Sequence, residues 1–198
     1  GVDLGSGVKT VGTPRIMTQG TLSPTGKEFD VAIRGEGFFK IARSDGTFAY
    51  SRDGSFEMDA QGRIVTAQGL VVQPGITIPQ NSTGLTINAQ GQVSVTPSGT
   101  TTPTVLGQLV LTRFINKAGL QAIGDNLFLE TPASGTPQDG VADTDGMGSL
   151  QQSMLEQANV EAVTEISDLI AAQRAYEMNA KVITATDQML SATSNLMR

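Results

Sequence analysis

From Ser149 to Arg198 the chain runs for 50 residues without a glycine or a proline, although glycine fills 23 of its 198 positions. These two residues are the ones a helix interior tolerates least. Their joint absence over so long a stretch predicts one long helix, so the region 149–198 is read as a helical unit. The apolar pattern agrees. Following a 3-4 alternation from Ala162 gives positions 162, 166, 169, 173, 176, 180, 183, 187, 190, 194 and 197. Eight of these eleven are aliphatic, methionine or tyrosine, and only Gln173, Asp187 and Ser194 interrupt them. A sustained stripe of this kind is that of a coiled-coil seam. Val163, Ile166, Leu169, Ile170, Tyr176, Ala180, Ile183, Leu190 and Met197 are therefore the candidate interface residues. Acidic Glu156, Glu161, Glu165 and Asp168 precede basic Arg174, Lys181 and Arg198, the order that suits a helix dipole. Asn159-Val160 reads either as a kink or as the start of the helix.

A helix over 162–197 would be about 54 Å long at ~1.5 Å per residue. An isolated helix is marginal in water and draws its stability from a packed face. The rest of this chain is light in large apolar residues and contains no second helix of comparable length. The stripe is thus expected to be covered by other molecules or by a segment outside this sequence. The competing expectation is a helix folded back over a sheet, as in an ordinary α+β domain.

Before residue 149 the character is different. Residues 1–28 are rich in Gly, Thr and Pro and read as an extended linker, with at most one short strand near Pro14–Met17. Residues 29–148 read as a β-rich domain with loops. Short apolar runs recur at Val31–Ile33, Phe38–Ile41, Phe48–Tyr50, Ile64-Val65, Leu70–Val72, Leu85–Ile87, Val93–Val95 and Gly107–Phe114, and 132–148 reads as loop. Asp45-Gly46, Asp53-Gly54 and Pro74-Gly75 punctuate them as turns. Ala-Gln-Gly recurs at 60–62, 67–69 and 89–91, but at unequal spacing, so it reads as reused turn chemistry and not as a solenoid. The expected fold class is mainly β with a long C-terminal α-helix: a small β-sandwich or open barrel plus a coiled-coil-type terminal helix.

Composition narrows the function. There is no histidine and no cysteine, which excludes disulfides, thiolate and imidazole metal sites, and every Ser-His or Cys-His mechanism. A net charge of −6 repels phosphate backbones and anionic headgroups, so no nucleic-acid partner is expected. No apolar run approaches the ~20 residues of a bilayer span, and the opening Gly1-Val2-Asp3-Leu4-Gly5 is not a signal peptide. With no initiator methionine, the sequence reads as beginning inside something longer. Carboxylate pairs could in principle hydrolyse glycosides; Glu28/Asp30, Asp53/Glu57 and Asp139/Asp143/Asp145 are the candidates, each also explained as turn or surface charge. Asp143-Thr144-Asp145-Gly146 hints at a calcium loop, but Met147 breaks the pattern. Gly35-Glu36-Gly37 lacks the following helix of a dinucleotide site and reads as a tight turn between strands. Neither cofactor nor metal is expected.

Several segments together carry a resemblance. Leu155–Glu161, Gln173-Arg174-Ala175-Tyr176-Glu177-Met178-Asn179-Ala180-Lys181 and Asp187-Gln188-Met189-Leu190 resemble the C-terminal signature of bacterial flagellar rod and hook proteins. Asp30–Phe39, Tyr50–Phe56, Val71–Pro79, Gly107-Gln108-Leu109, Phe114-Ile115-Asn116, Gly119-Leu120 and Gly124–Leu127 resemble the family's β domain in the same order. Ala158 stands where the family usually has serine. The resemblance implies a non-enzymatic structural subunit of the distal rod of the flagellar basal body. In that family the terminal helices pair as a coiled coil around the bore of a helical tube, which serves as drive shaft and export channel. Implied partners are further copies of the chain, proximal rod subunits, hook subunits, the surrounding P and L rings and the rod cap, without membrane insertion. The implied location is the periplasm, after export through the flagellar type III apparatus. A hook or proximal rod subunit is the alternative within the family; a periplasmic binding module or a carboxylate hydrolase is the alternative outside it.

Overall fold

A computed structural model describes residues 15–196, with side chains placed through Ala192. In chain order the elements are β1 (Leu22–Pro24), β2 (Val31–Arg34), β3 (Phe38–Ala42), β4 (Phe48–Ser51), β5 (Phe56–Met58), β6 (Ile64–Thr66), β7 (Val71–Val72) and β8 (Ser82–Ile87). Then follow β9 (Gln92–Pro97), β10 (Thr104–Gln108), β11 (Val110–Arg113), a 3-10 turn at Lys117–Gly119, β12 (Gln121–Gly124), β13 (Leu127–Leu129), β14 (Gln138–Val141), β15 (Ser149–Gln152), β16 (Met154–Glu156) and α1 (Ala162–Leu196). The chain divides into two compact units, residues 1–158 and 159–198.

The β unit is built from open sheets, none closed into a barrel. The largest runs β12-β13-β4-β3-β7-β6-β5 and branches at β3, whose Phe39 and Phe38 pair with Leu111 and Thr112 of β11; β11 in turn carries β14. A second sheet is β10-β9-β8, and two-stranded ribbons join β2 to β15 and β1 to β16. The Gly107–Phe114 run is thus split between two sheets at Leu109, which is itself buried. Alternation explains β8 and β9: Leu85 and Ile87, then Val93 and Val95, turn inward while their neighbours stay exposed or half-buried. In β2 three consecutive residues, Val31, Ala32 and Ile33, are buried, the pattern of a strand covered on both faces. The main core gathers Val31, Ile33, Phe39, Phe56, Leu111 and Leu150, among others. A smaller aromatic cluster sets Phe38, Tyr50 and Phe114 edge to face, the Tyr50 and Phe114 rings 4.7 Å apart.

Glycine matters for different reasons at two turns. Gly46 takes φ of +81°, as its hairpin requires. Gly54 has no such dihedral; a Cβ there would overlap the Val31 carbonyl oxygen, so close backbone approach is what demands glycine. Gly35 and Gly37 both have positive φ and turn the chain from β2 into β3, which lie in different sheets.

Three expectations are corrected. The block from 149 does not become helix throughout: Ser149–Gln152 pairs with β2 and Met154–Glu156 with β1, and the helix starts only at Ala162. Freedom from Gly and Pro permits strand as well as helix, and the break at Ser153 is made by a non-glycine residue at φ of +59°. The stretch 132–148 is not all loop, because Gln138–Val141 is an edge strand on β11; its polar, glycine-containing sequence has no alternation to betray it. The stretch 1–28, read as extended linker with at most one short strand near Pro14–Met17, carries a strand at Leu22–Pro24 instead, while Arg15–Met17 is not strand and Pro14 lies outside the described residues.

Candidate assembly surface

α1 is 35 residues long, about 52 Å at ~1.5 Å per residue. Its first turn is closed by the Glu165 amide donating to the Glu161 carbonyl at 3.1 Å, and the Thr164 hydroxyl donates to the Glu161 carboxylate. Asn159 and Val160 lie before the helix. Polar residues within it are accommodated by back-bonding: Ser167, Thr184 and Thr186 donate to the carbonyls of Val163, Ala180 and Val182. Glu165 sits in the first turn, but the last turn has no basic residue. Because the dipole acts only over the end turns, its charge complementarity is confined to the N-terminal end.

The candidate interface residues other than Met197 share this one element. Val163, Ile166, Leu169, Ile170, Tyr176, Ile183 and Leu190 are all exposed, from 44% at Ile170 to 79% at Tyr176, and Ala180 is exposed too. Met197 lies outside the described residues. The first stripe missed three more large apolar side chains, Met178, Val182 and Met189, each more than 60% exposed. Their signal was present in the sequence as a second 3-4 alternation, out of phase with the first.

The chain reaches α1 through a tightly held strand. Arg52 donates through Nε and Nη2 to the Glu156 carboxylate, at 2.8 and 2.7 Å, and its other N–H groups donate to the carbonyls of Ile33, Gly35 and Gly37. The same carboxylate accepts from the Gly20 amide at 2.9 Å. The Gln157 amide donates to the Thr21 carbonyl, and Gln19 bridges the Ile33 carbonyl and the Gly35 amide. One guanidinium thus fastens the β2–β3 turn, the segment before β1 and the end of β16. Sequence reading assigned Glu156 to the helix dipole; no local signal could join residues 104 apart.

Three of the carboxylate candidates, Asp53, Asp139 and Asp143, are held by hydrogen bonds. Asp30 is buried and bridged through its backbone to Ser55, while Glu28 and Glu57 are exposed. Burial works to raise the pKa of Asp53, but hydrogen bonds from the Ser55 hydroxyl and amide and from Asn126 outweigh it and hold it below the usual carboxylate range. Asp139 is likewise lowered: burial opposes, and Lys40 and the Thr112 hydroxyl together prevail. Asp143 accepts from Gln90, and both Asp143 and Asp145 sit at positive φ in a turn. A depression of about 360 Å³ is lined by Glu130, Thr131, Pro132, Gly135, Thr136 and Pro137, with a single carboxylate in it. Among the described residues no group of three carboxylates could hold a metal ion, and no helix is long and apolar enough to cross a membrane.

Comparison with known proteins gives this geometry a family. Residues 32–95 match the flagellar hook protein FlgE/F/G D1 domain, and residues 151–196 match the flagellar basal body rod FlgEFG protein C-terminal region, which joins β15, β16 and α1. The chain is 51% identical over 196 residues to the flagellar basal-body rod protein FlgG of Caulobacter vibrioides, covering 99% of this chain and 75% of that protein. It is 46% identical over 200 residues to the FlgG of Borreliella burgdorferi, covering 100% and 76%. Against the basal-body rod protein FlgF of Caulobacter vibrioides the identity is 36% over 186 residues, covering 92% and 71%. The match runs through the β unit and the exposed helix alike, and on it the chain belongs to the FlgG family of flagellar basal-body rod proteins.

Proposed function

We propose that this chain is a structural subunit of the distal rod of the flagellar basal body, working by packing and not by turnover. The observation that carries the reading is α1: a helix of 35 residues whose large apolar side chains stand in water. Such a surface is costly in a free molecule and is at home in an assembly. Val163, Ile166, Leu169, Ile170, Tyr176, Ala180, Ile183, Leu190 and Met197 form the interface, covered by helices of neighbouring subunits. Heterologous contacts that do not close generate a helical filament. Many weak interfaces in parallel then transmit torque, and the tube leaves a bore for export. Proximal rod and hook subunits at its two ends, the P and L rings around it and the rod cap are its further partners. Its place is the periplasm, reached through the flagellar type III apparatus. The distal rod is favoured over the proximal one by the higher identity to FlgG than to FlgF of the same organism.

The test is Ile183→Asp in cells whose only source of this subunit is the variant. Rods seen by electron microscopy should be lost together with motility, while the purified variant keeps the thermal transition of its β unit. Normal rods built from the variant would refute the interface.

A further inference from the structure

We infer that the Asp145-Gly146 peptide is a site of spontaneous aspartate isomerisation, through which the turn between β14 and β15 acquires an isoaspartyl link without an enzyme. The inference stands apart from the rod-subunit reading. The chain carries Asp-Gly pairs at 45-46, 53-54, 139-140 and 145-146. In each, glycine has no side chain to shield its amide nitrogen, so by sequence alone all of them could react. The structure sets one apart from the other three.

The reaction needs a carboxyl group that can swing toward the next amide, on a backbone that can turn. Asp45 lacks that freedom: its carboxylate accepts from the Thr47 amide at 2.9 Å and pairs with Arg43 at 2.7 Å. Asp53 accepts from the Ser55 hydroxyl and amide, at 2.7 and 3.0 Å, and from Asn126 at 3.1 Å, while its Gly54 lies against the Val31 carbonyl. Asp139 sits in the β11–β14 ladder opposite Thr112, whose hydroxyl it accepts from, and pairs with Lys40 at 2.6 Å. At Asp45 the Thr47 hydroxyl leads in holding the carboxyl below its usual range; at Asp53 and Asp139 burial opposes the shift and hydrogen bonds outweigh it. Hydrogen bonds of this kind favour the ionised form, which resists attack by a nucleophile.

Asp145 is different. It and Gly146 are both exposed. Among the described residues the Asp145 carboxylate accepts no hydrogen bond and joins no ion pair, and the Gly146 amide donates to no carbonyl. The hydrogen bonds that hold this turn, from the Asp143 amide to the Gly148 carbonyl at 3.0 Å and from the Met147 amide to the Thr144 carbonyl at 2.8 Å, use neither reacting atom. The Gly146 nitrogen attacks Cγ of the protonated Asp145 carboxyl group. A C–N bond forms, and the carboxyl hydroxyl leaves as water with the amide proton, giving a five-membered succinimide. Water then adds to one ring carbonyl. Breaking the Cγ–N bond restores aspartate. Breaking the bond from nitrogen to the former backbone carbonyl carbon gives isoaspartate, at no net change in mass. The chain then runs through Cβ and Cγ and is one backbone atom longer. The old carbonyl, which accepts from Arg113 Nη1 at 3.4 Å, becomes a carboxylate beside that guanidinium, so the product gains an ion pair.

The purified chain incubated at neutral pH tests this, with isoaspartate located by electron-transfer fragmentation and counted by methylation with an isoaspartyl methyltransferase and labelled S-adenosylmethionine. Deamidated asparagines are told apart by their change in mass. In the folded chain isoaspartate should accumulate at 145 at least about tenfold faster than at 45, 53 or 139, the effect of charge-assisted hydrogen bonds on the other three. In urea the four should converge. Asp145→Glu should lose the signal and keep the thermal transition. No isoaspartate at 145, or equal accumulation at any of the other three in the folded chain, would overturn the inference and leave the rod-subunit reading untouched.

Discussion

Arg52 shows how much one side chain can hold. It and Glu156 are mostly withdrawn from solvent, with 21% and 11% of their side chains exposed, and removing one partner strands the other together with three backbone carbonyls. Arg52→Gln should therefore lower the stability of the β unit by about 3 kcal/mol, measured by urea unfolding; Lys would rescue little, because it lacks the planar fork. Tyr50 makes a different point. Burial first, then the charges of Glu130 and Asp139, push its phenol up to about 12. A folded-state value above the unfolded one, ~10, means that the fold favours the neutral phenol. The associated stability is full below pH ~10 and drains away as pH rises through about 12. Tyr50→Phe should accordingly melt at a more constant temperature between pH 9 and 12 than the parent chain does, which thermal scans across that range would measure.

At the scale of elements, the large apolar side chains of α1 stand exposed among the described residues, so its local stability in a dilute monomer should be low. Amide exchange should be fast along 162–196 and slow in β2, β3 and β4; uniform protection of the helix would contradict this. The helix was legible from Ala162 onward because its period is long enough to count. The strands at 149–156 were not, since eight residues free of Gly and Pro suit either state, and what decides them is pairing with β1 and β2, more than a hundred residues away. β14 escaped notice because an edge strand needs no apolar alternation. In the β unit the turns marked by Asp45-Gly46 and Pro74-Gly75 were readable from dipeptides. Gly54 was marked as a turn for the wrong reason, because a steric encounter with Val31 is invisible along the chain. Likewise the first apolar stripe of α1 is readable directly from Ala162 onward, whereas Met178, Val182 and Met189 fall out of phase with it.

For the molecule as a whole, the division at Ala158 separates a part that completes its own core from one that does not. A chain ending at Ala158 should keep the thermal transition of the full chain within about 2 °C, whereas a peptide of 159–198 alone should be poorly helical by circular dichroism. In the sequence the composition changes at Ser149, with glycine before it and none after, about ten residues ahead of this division.

The β1–β16 ribbon puts Leu22 opposite Glu156 and Pro24 opposite Met154, so the incoming and outgoing chain lie side by side at one end of the ribbon. Tension applied beyond Glu156 would peel this ribbon one rung at a time from that end, the weakest way to load an antiparallel pair. The Arg52–Glu156–Gly20 knot stands at the first rung. It acts as a stitch at the mouth of a zip, so that a pull beyond Glu156 is passed into the β2–β3 turn and the buried sheets before any rung can open.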